Sequence, residues 1–175
     1  MTIHTDHPFL EPEGDRDPAR RFRGRLGGGV TLWTAGDEGD RAGLTVSSLM
    51  VAAGEPARVL ALVDPDSDLH DRLLATRLAV VHLLGWEHRD LAEAFAGTAP
   101  APGGPFRTGA FTQTAWGPLL SGASTWAGVS LESAAEVSWS VLLICVVDEV
   151  TIGDDLPPLV HRRGRYLRPP GSDLP

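Results

Sequence analysis

Short β-prone runs separated by brief turn segments recur along most of this chain. Residues 30–35 and 42–51 form two such runs, and the segment between them, rich in glycine and acids, is typical of a hairpin loop. After a turn at 54–56, the uniformly apolar run 59–63 predicts a strand covered on both faces. Strands joined by such short loops pair antiparallel, because a parallel connection needs a crossover of a dozen or more residues. The pattern therefore predicts a mainly β fold of the α+β class, built on an antiparallel sheet.

A few predicted helices interrupt this series of strands. Asp17 and Pro18 are typical of an N-cap and a first helical residue, and Phe22 and Leu26 would give that helix an apolar face. The other predicted helices span 68–76 and 87–96, and the remaining predicted strands span 78–84, 124–131, 135–150 and 159–167. Hairpin-linked strands with so few helices indicate an antiparallel barrel with peripheral helices rather than a doubly wound sheet.

The basic residues of this chain are all arginine. They number 15 against 23 acidic residues, a net charge of −8, and lysine is absent. A Schiff-base lysine, a lysine nucleophile and a P-loop are therefore excluded. The acidic balance also argues against binding to nucleic acid or to an anionic membrane, since both need a basic surface.

A length of 175 residues suits one domain, and we expect a flexible acidic arm at 1–16, a domain over 17–168 and a tail at 169–175.

Cys145 is the only cysteine, so the chain can form neither an internal disulfide nor a thiolate-rich zinc site. It lies in the apolar run 141–147, which predicts a buried and unreactive thiol. That run is far shorter than the ~20 residues that a membrane span needs. The first 20 residues are polar and acidic, unlike a signal peptide. We therefore expect a cytoplasmic protein without a membrane segment.

Familiar catalytic motifs are missing from the sequence. It contains no HExxH, no GxSxG and no GxGxxG after a predicted strand. The six histidines lack the spacing of metal ligands, so we expect no metal site. His82 interrupts an apolar strand, which predicts a core or interface histidine whose ring nitrogens are hydrogen-bonded.

Three polar segments remain as candidate binding residues. The hydroxyl-rich segment 45–48 fits a strand that lines a polar ligand and, equally, a half-exposed strand. Residues 64–70 run from a strand end into a helix start, where Ser67 would serve as a plain N-cap or lie beside an anion. The segment 161–168 holds four arginines, which match phosphate or carboxylate groups, with a solvated edge strand as the competing interpretation.

Taken together, these segments resemble the flavin reductase family. The resemblance rests on sequences in the same order and at fitting spacing, which are 29–35, 42–48, 59–71, 78–84, 90–97 and 158–166. It covers roughly residues 24–168, most of the chain. Each segment alone is only moderately specific, and their common order along the chain carries the resemblance. The resemblance implies an FMN-binding split β-barrel, usually a homodimer with the flavin near the subunit interface.

The resemblance also implies roles for individual residues. Residues 45–48 would lie along the isoalloxazine ring and the ribityl chain, and the helix start at 64–70 would lie near the flavin phosphate. His161 is the candidate catalytic residue, facing the flavin and the nicotinamide side of the pocket. The implied cofactor-binding residues are Thr45, Val46, Ser47, Ser48, Asp64, Ser67, His70, Trp139 and Arg165. The protein would orient the reactants, exclude water and stabilise the charge that builds on the flavin.

Two positions depart from the family pattern. Ser138 and Trp139 stand where many members have Asp and His. Leu69 stands where the family often has Thr, and His70 is a candidate replacement for that threonine.

The leading interpretation is an NADH- or NADPH-dependent reductase of FMN, or of FAD, that supplies a flavin-dependent monooxygenase. Trp139 motivates the alternative of a non-enzymatic flavin-binding or flavin-storage protein. The third interpretation is an interaction module without a cofactor.

Overall fold

The computed structural model describes residues 17–169, so the predicted arm at 1–16 and most of the predicted tail lie outside the described residues. Within that range the chain forms three α-helices and twelve strands. The helices are α1 (Pro18–Leu26), α2 (Asp68–Thr76) and α3 (Arg89–Phe95). The strands are β1 (Gly28–Gly29), β2 (Thr31–Asp37), β3 (Asp40–Val46), β4 (Leu49–Ala52), β5 (Arg58–Val63), β6 (Leu78–Leu83), β7 (Phe111–Gln113), β8 (Pro118–Leu120), β9 (Trp126–Val137), β10 (Ser140–Thr151), β11 (Val160–Arg162) and β12 (Arg165–Leu167).

Seven of these strands form one antiparallel sheet in the order β3-β2-β6-β9-β10-β5-β4. The two edge strands, β3 and β4, are joined by only two residues, Ser47 and Ser48. So short a link requires the sheet to roll until its edges approach each other. The Ser48 hydroxyl donates to the Leu62 carbonyl at 2.6 Å, and the Leu62 amide donates to the Ser48 carbonyl at 3.3 Å. No strand ladder joins β3 to β4 in the described range, so the sheet forms a split barrel, which confirms the predicted fold class.

The predicted continuous strand over 42–51 is wrong in one respect, because the chain leaves the β2 ladder at Val46 and joins β5 only from Leu49. The hydrogen bonds of Ser48 hold this crossing between the two edges. The run 59–63 is a strand as predicted, but its two-sided cover is wrong for the single chain. Val59 is buried in the core, whereas Leu62, on the opposite face, is 41% exposed.

Two hairpins were misread as single strands. The predicted strand 135–150 contains a turn at Ser138 and Trp139, where Ser138 has a φ of 53° and Val137 pairs with Ser140. The predicted strand 159–167 is the β11–β12 hairpin, whose turn residues Arg163 and Gly164 both have positive φ. Neither Ser138 nor Arg163 is a residue that usually signals a left-handed turn. The short β7–β8 hairpin was not predicted.

The helices agree closely with the prediction. Helix α2 has the predicted bounds, and Ser67 caps it by accepting a hydrogen bond from the His70 amide at 3.3 Å. Helix α1 begins at Pro18 after its N-cap Asp17, but its apolar residues Phe22 and Leu26 are both exposed. In the described part of the chain, no helix combines the length and apolar character needed to span a bilayer.

The buried residues form two clusters on either side of the sheet. One fills the barrel and includes Trp33, Leu69 and Leu143, and the other lies under α3 and includes Phe95 and Leu159. Each cluster is closed by a helix whose apolar face was visible in the sequence. The second cluster packs α3 against the sheet beside β3.

His82 lies in β6 and is fully buried. Its Nδ1 lies 2.8 Å from the Leu32 carbonyl, and its Nε2 accepts the Leu120 amide at 3.0 Å. The Leu120 amide can only donate, so the neutral ring carries its proton on Nδ1 and donates it to Leu32. The predicted role as a satisfied core histidine is confirmed.

The Cys145 thiol is buried in the barrel, and this burial raises its pKa to about 12. We expect the native protein to resist an aromatic disulfide reagent at pH 8, because the reacting form is the thiolate. After unfolding in guanidinium chloride, one thiol per chain should react at once. Rapid reaction of the native protein would contradict the buried position of this strand.

Candidate functional site

A cavity of ≈ 540 Å³ opens where the end of β3, the segment from Trp86 to Thr98 and the β11–β12 hairpin meet. Its volume falls within the range of roughly 300–1,000 Å³ that is typical of small-molecule sites. It is lined by Val30, Thr45, Ser47, Trp86, Arg89, Glu93, Ala96, Thr98, His161, Gly164, Arg165 and Tyr166. The lining combines hydroxyls, aromatic rings and charges of both signs. The structure thus brings together two of the three segments predicted from the sequence.

The segment 45–48 contributes through the alternation of side chains at the end of β3. Thr45 and Ser47 line the cavity, while Val46 between them is buried in the barrel, which leaves only its main chain for a ligand. The Thr45 hydroxyl donates to the Ala92 carbonyl at 2.7 Å and so ties β3 to α3. The hydroxyl of Ser47 has no hydrogen-bond partner among residues 17–169, so it offers both a donor and an acceptor.

The helix start at Asp64–His70 lies apart from this cavity and connects to it through Ser48, which bonds to Leu62 in β5. Ser67 Oγ donates to the Asp64 carbonyl at 2.7 Å, and Asp64 Oδ1 accepts the Asp66 amide at 2.9 Å. These bonds are those of a plain capped helix. The Nδ1 atom of His70 is nevertheless buried with no hydrogen-bond partner in the described range. A buried polar atom without a partner costs free energy unless a ligand or water satisfies it.

The β11–β12 hairpin presents His161 and Tyr166 side by side as a cross-strand pair, with ring centroids 5.7 Å apart. Burial, and secondarily the charge of Arg23, lowers the pKa of His161, so its imidazole is neutral near pH 7. Burial and the nearby Glu93 raise the pKa of Tyr166, so its phenol stays protonated. A protonated imidazole at this position is thus disfavoured. Arg165, which lines the same cavity, carries a permanent positive charge.

The segment before and within α3 supplies lining residues that sequence reasoning missed. Trp86, Arg89 and Glu93 face the cavity, and the Arg89 guanidinium lies 5.4 Å from the Trp86 ring centroid. The available signal was the spacing of Arg89 and Glu93, four residues apart on the polar face of a predicted helix. That spacing is equally typical of a solvated helix face, so it could not identify the site.

Trp139 does not line the cavity. It lies at the tip of the β9–β10 hairpin, 75% exposed, with the Arg20 guanidinium 5.0 Å from its ring centroid. Val141 pairs with Val63, so this tip lies at the same end of the sheet as Asp64. A role for Trp139 in cofactor binding remains a prediction.

The comparisons with known proteins agree on one family. The family model described as a flavin reductase like domain matches residues 23–169. The FMN reductase (NADH) RutF of Pantoea ananatis is 26% identical over 165 residues, covering 93% of this chain and 86% of the relative. The NADH:FMN oxidoreductase of Rhodococcus qingshengii is 29% identical over 145 residues, with 81% and 75% covered.

A solved structure extends this likeness to the fold. The NADH:FAD oxidoreductase SgcE6 of Streptomyces globisporus C-1027, in complex with NAD and FAD fragments, matches with a TM-score of 0.79 and 25% identity. The match covers 94% of this chain and 99% of that one. Sequence and structure comparisons therefore converge on the same group of proteins.

Proposed function

The chain belongs to the family of flavin reductase-like domains, and we propose that it is an NADH- or NADPH-dependent flavin reductase. It transfers hydride from the nicotinamide to FMN, with FAD as an alternative acceptor. The observation that carries this proposal is the cavity in which Thr45 and Ser47 meet His161 and Arg165. These residues come from distant parts of the chain, and the family resemblance assigns all of them to one cofactor.

The residues of the site fit a flavin nucleotide. The cavity is large enough for a small ligand, Trp86 and Tyr166 offer aromatic walls, and Ser47 has an unused hydroxyl. The Nδ1 atom of His70, which makes no hydrogen bond in the described range and lies 3.7 Å from Asp71 Oδ1, is the candidate contact for a phosphate group at the start of α2. When bound, the flavin would supply the redox chemistry by accepting hydride from the nicotinamide.

The protein contributes binding, orientation and electrostatics. Ser47 and the main chain of Val46 would hydrogen-bond the polar edge of the cofactor. The Arg165 guanidinium holds a fixed positive charge at the cavity and would stabilise negative charge that builds during hydride transfer. His161, neutral near pH 7, would donate or accept a hydrogen bond but would not supply this charge. Aromatic side chains would exclude water from the reacting atoms.

The deciding experiment is an absorption spectrum of the purified protein, repeated after anaerobic addition of NADH. We expect a flavin spectrum, from bound or added FMN, that bleaches as the flavin is reduced. A flavin spectrum unchanged by NADH and NADPH would support the flavin-storage alternative and refute the reductase. Failure to bind FMN at micromolar concentration would support the interaction module.

We also propose that the protein is a homodimer, formed through the outer face of the sheet. Met50, Leu60 and Ile144 form one apolar row across β4, β5 and β10, and Leu62 and Leu142 form the next. The alternate residues of these strands fill the barrel, so this face is apolar without serving the core. Met50 is 65% exposed in the single chain. A second copy would cover these residues and give β5 the two-sided burial that its sequence predicts.

Replacing Ile144 by Asp should convert the dimer to a monomer, because burial of an unpaired carboxylate at an apolar interface is strongly unfavourable. Light scattering coupled to size exclusion at several concentrations measures the change. Val150→Asp is the matched control, since Val150 is an exposed apolar residue of the same strand outside the two rows. A monomeric wild-type protein would contradict the proposed dimer.

A partner monooxygenase would consume the product of this reaction. Ser47, Gly164 and Arg165 are exposed at the cavity, so reduced flavin could leave without unfolding of the site. We infer that the product diffuses to a separate flavin-dependent monooxygenase. This role implies a cytoplasmic enzyme.

A further inference from the structure

Eight of the fifteen arginines fall in two short segments of this acidic chain. Arg20, Arg21, Arg23 and Arg25 lie in α1, and Arg162, Arg163, Arg165 and Arg168 lie in and beside the β11–β12 hairpin. Neither 18–26 nor 158–169 contains an acidic residue. The clustering is therefore a local excess of positive charge against a net charge of −8.

The fold brings these two segments together. The Arg163 amide donates to the Gly24 carbonyl at 2.8 Å, and the Arg162 side chain donates to the Arg25 carbonyl at 3.3 Å. Both bonds join the end of α1 to the hairpin turn. The hairpin arginines thus lie beside the C-terminal end of α1, although about 135 residues separate the two segments.

A second cavity of ≈ 310 Å³ lies on this surface, and we call it the arginine cleft. It is lined by Arg162, Arg163, Arg165 and Leu167. Arg165 also lines the candidate site, so the two cavities adjoin at this side chain. Within residues 17–169, no carboxylate lies at ion-pair distance from Arg162 or Arg165. Their guanidinium groups are exposed and available to an anion.

We propose that the arginine cleft binds the phosphate groups of a dinucleotide whose reactive ring occupies the adjoining cavity. This inference rests on the proposed function, since it names the part of the substrate that lies outside the reacting centre. Guanidinium groups match phosphate oxygens with paired hydrogen bonds. The matching chemistry is the adenosine diphosphate moiety of the nicotinamide donor, since the phosphate that FAD shares with FMN is assigned to the start of α2. The acidic remainder of the protein disfavours a longer polyanion such as nucleic acid.

Titration calorimetry with ADP tests the cleft without any turnover. We expect ADP to bind the wild-type protein and to bind about tenfold more weakly to Arg162→Gln and to Arg163→Gln, and weaker still to the double variant. Added salt should weaken wild-type binding more than binding to the double variant. Arg107→Gln is the control, because it removes an exposed arginine that lines neither cavity. All variants are compared at a temperature well below their unfolding midpoints, because Arg162→Gln also loses the bond to the Arg25 carbonyl.

Steady-state kinetics and flavin titrations then identify the source of the phosphates. If the donor supplies them, the double variant should lose about tenfold in kcat/KM for NADH and keep that for reduced nicotinamide mononucleotide, which lacks the ADP moiety. The Kd values for FMN and for FAD should both stay unchanged in the double variant.

Equal binding of ADP to the wild type and the double variant would overturn the inference, whether or not the protein oxidises NADH. Arginine-dependent ADP binding without any NADH oxidation would support the cleft and refute only the proposed reductase. Similar losses for donors with and without ADP, and for FMN and FAD alike, would also overturn the inference.

Discussion

The His82→Leu variant is expected to lose about 3 kcal/mol of unfolding free energy at pH 7. The substitution leaves the Leu32 carbonyl and the Leu120 amide buried without partners, and each unsatisfied group costs roughly 1–3 kcal/mol. Urea denaturation followed by tryptophan fluorescence measures the loss. His82→Asn, which keeps a side-chain donor and acceptor, should lose less. A variant within about 0.5 kcal/mol of wild type would contradict this network.

The same residue makes stability depend on pH. Burial lowers the pKa of His82 to about 4, against 6.5 for an ordinary histidine, so the unfolded chain binds a proton that the folded chain rejects between these values. The contribution of the neutral ring is therefore fully present above pH 6.5 and is lost as the pH falls toward 4. The loss amounts to roughly 3 kcal/mol at 1.36 kcal/mol per pKa unit. In His82→Leu this part of the acid dependence should disappear.

The Arg165→Ala variant is expected to reduce kcat/KM for the nicotinamide donor about tenfold to a hundredfold. Arg165 is the lining residue shared by the candidate site and the arginine cleft, so its removal affects both charge stabilisation and phosphate binding. Hydrogen bonds to charged groups contribute roughly 1.5–3 kcal/mol, which corresponds to this range. Initial rates of NADH oxidation with FMN provide the measurement.

Arg165→Lys separates the two contributions of this side chain. Lysine keeps the charge but lacks the planar fork, so this variant should recover part of the lost kcat/KM and not all of it. Arg107→Ala, which removes a charge elsewhere, should remain within about twofold of wild type. An Arg165→Ala enzyme with unchanged kcat/KM would remove this residue from the mechanism.

Helix α2 shows how far local sequence signals reach. Its bounds were predicted from the cap at Ser67 and from leucines at helical spacing, and both are interactions between residues three or four apart. Residues 45–48 were predicted together as candidate binding residues, and of these four Thr45 and Ser47 line the cavity. Their alternation with Val46 follows from the geometry of a single strand.

Features that depend on distant parts of the chain were not predicted. The turn at Ser138 contains no glycine or asparagine that would predict it from the sequence, and it forms because β9 pairs with β10. The spacing of Arg89 and Glu93 is typical of a solvated helix face, and only the position of β11 and β12 makes these two residues part of the cavity. Trp139 lies outside the cavity because it is at the tip of the β9–β10 hairpin, which was not predicted from the sequence.

The recurring β runs determined that this chain would form a mainly antiparallel sheet, because alternation and short turns are properties of neighbouring residues. The tertiary structure decided that the sheet would roll into a split barrel, since only the two-residue link from β3 to β4 and the bonds of Ser48 bring its edges together. It also decided which polar residues meet. His161 and Thr45 lie far apart in the sequence, and only the packing of the hairpin against β3 places them in one cavity.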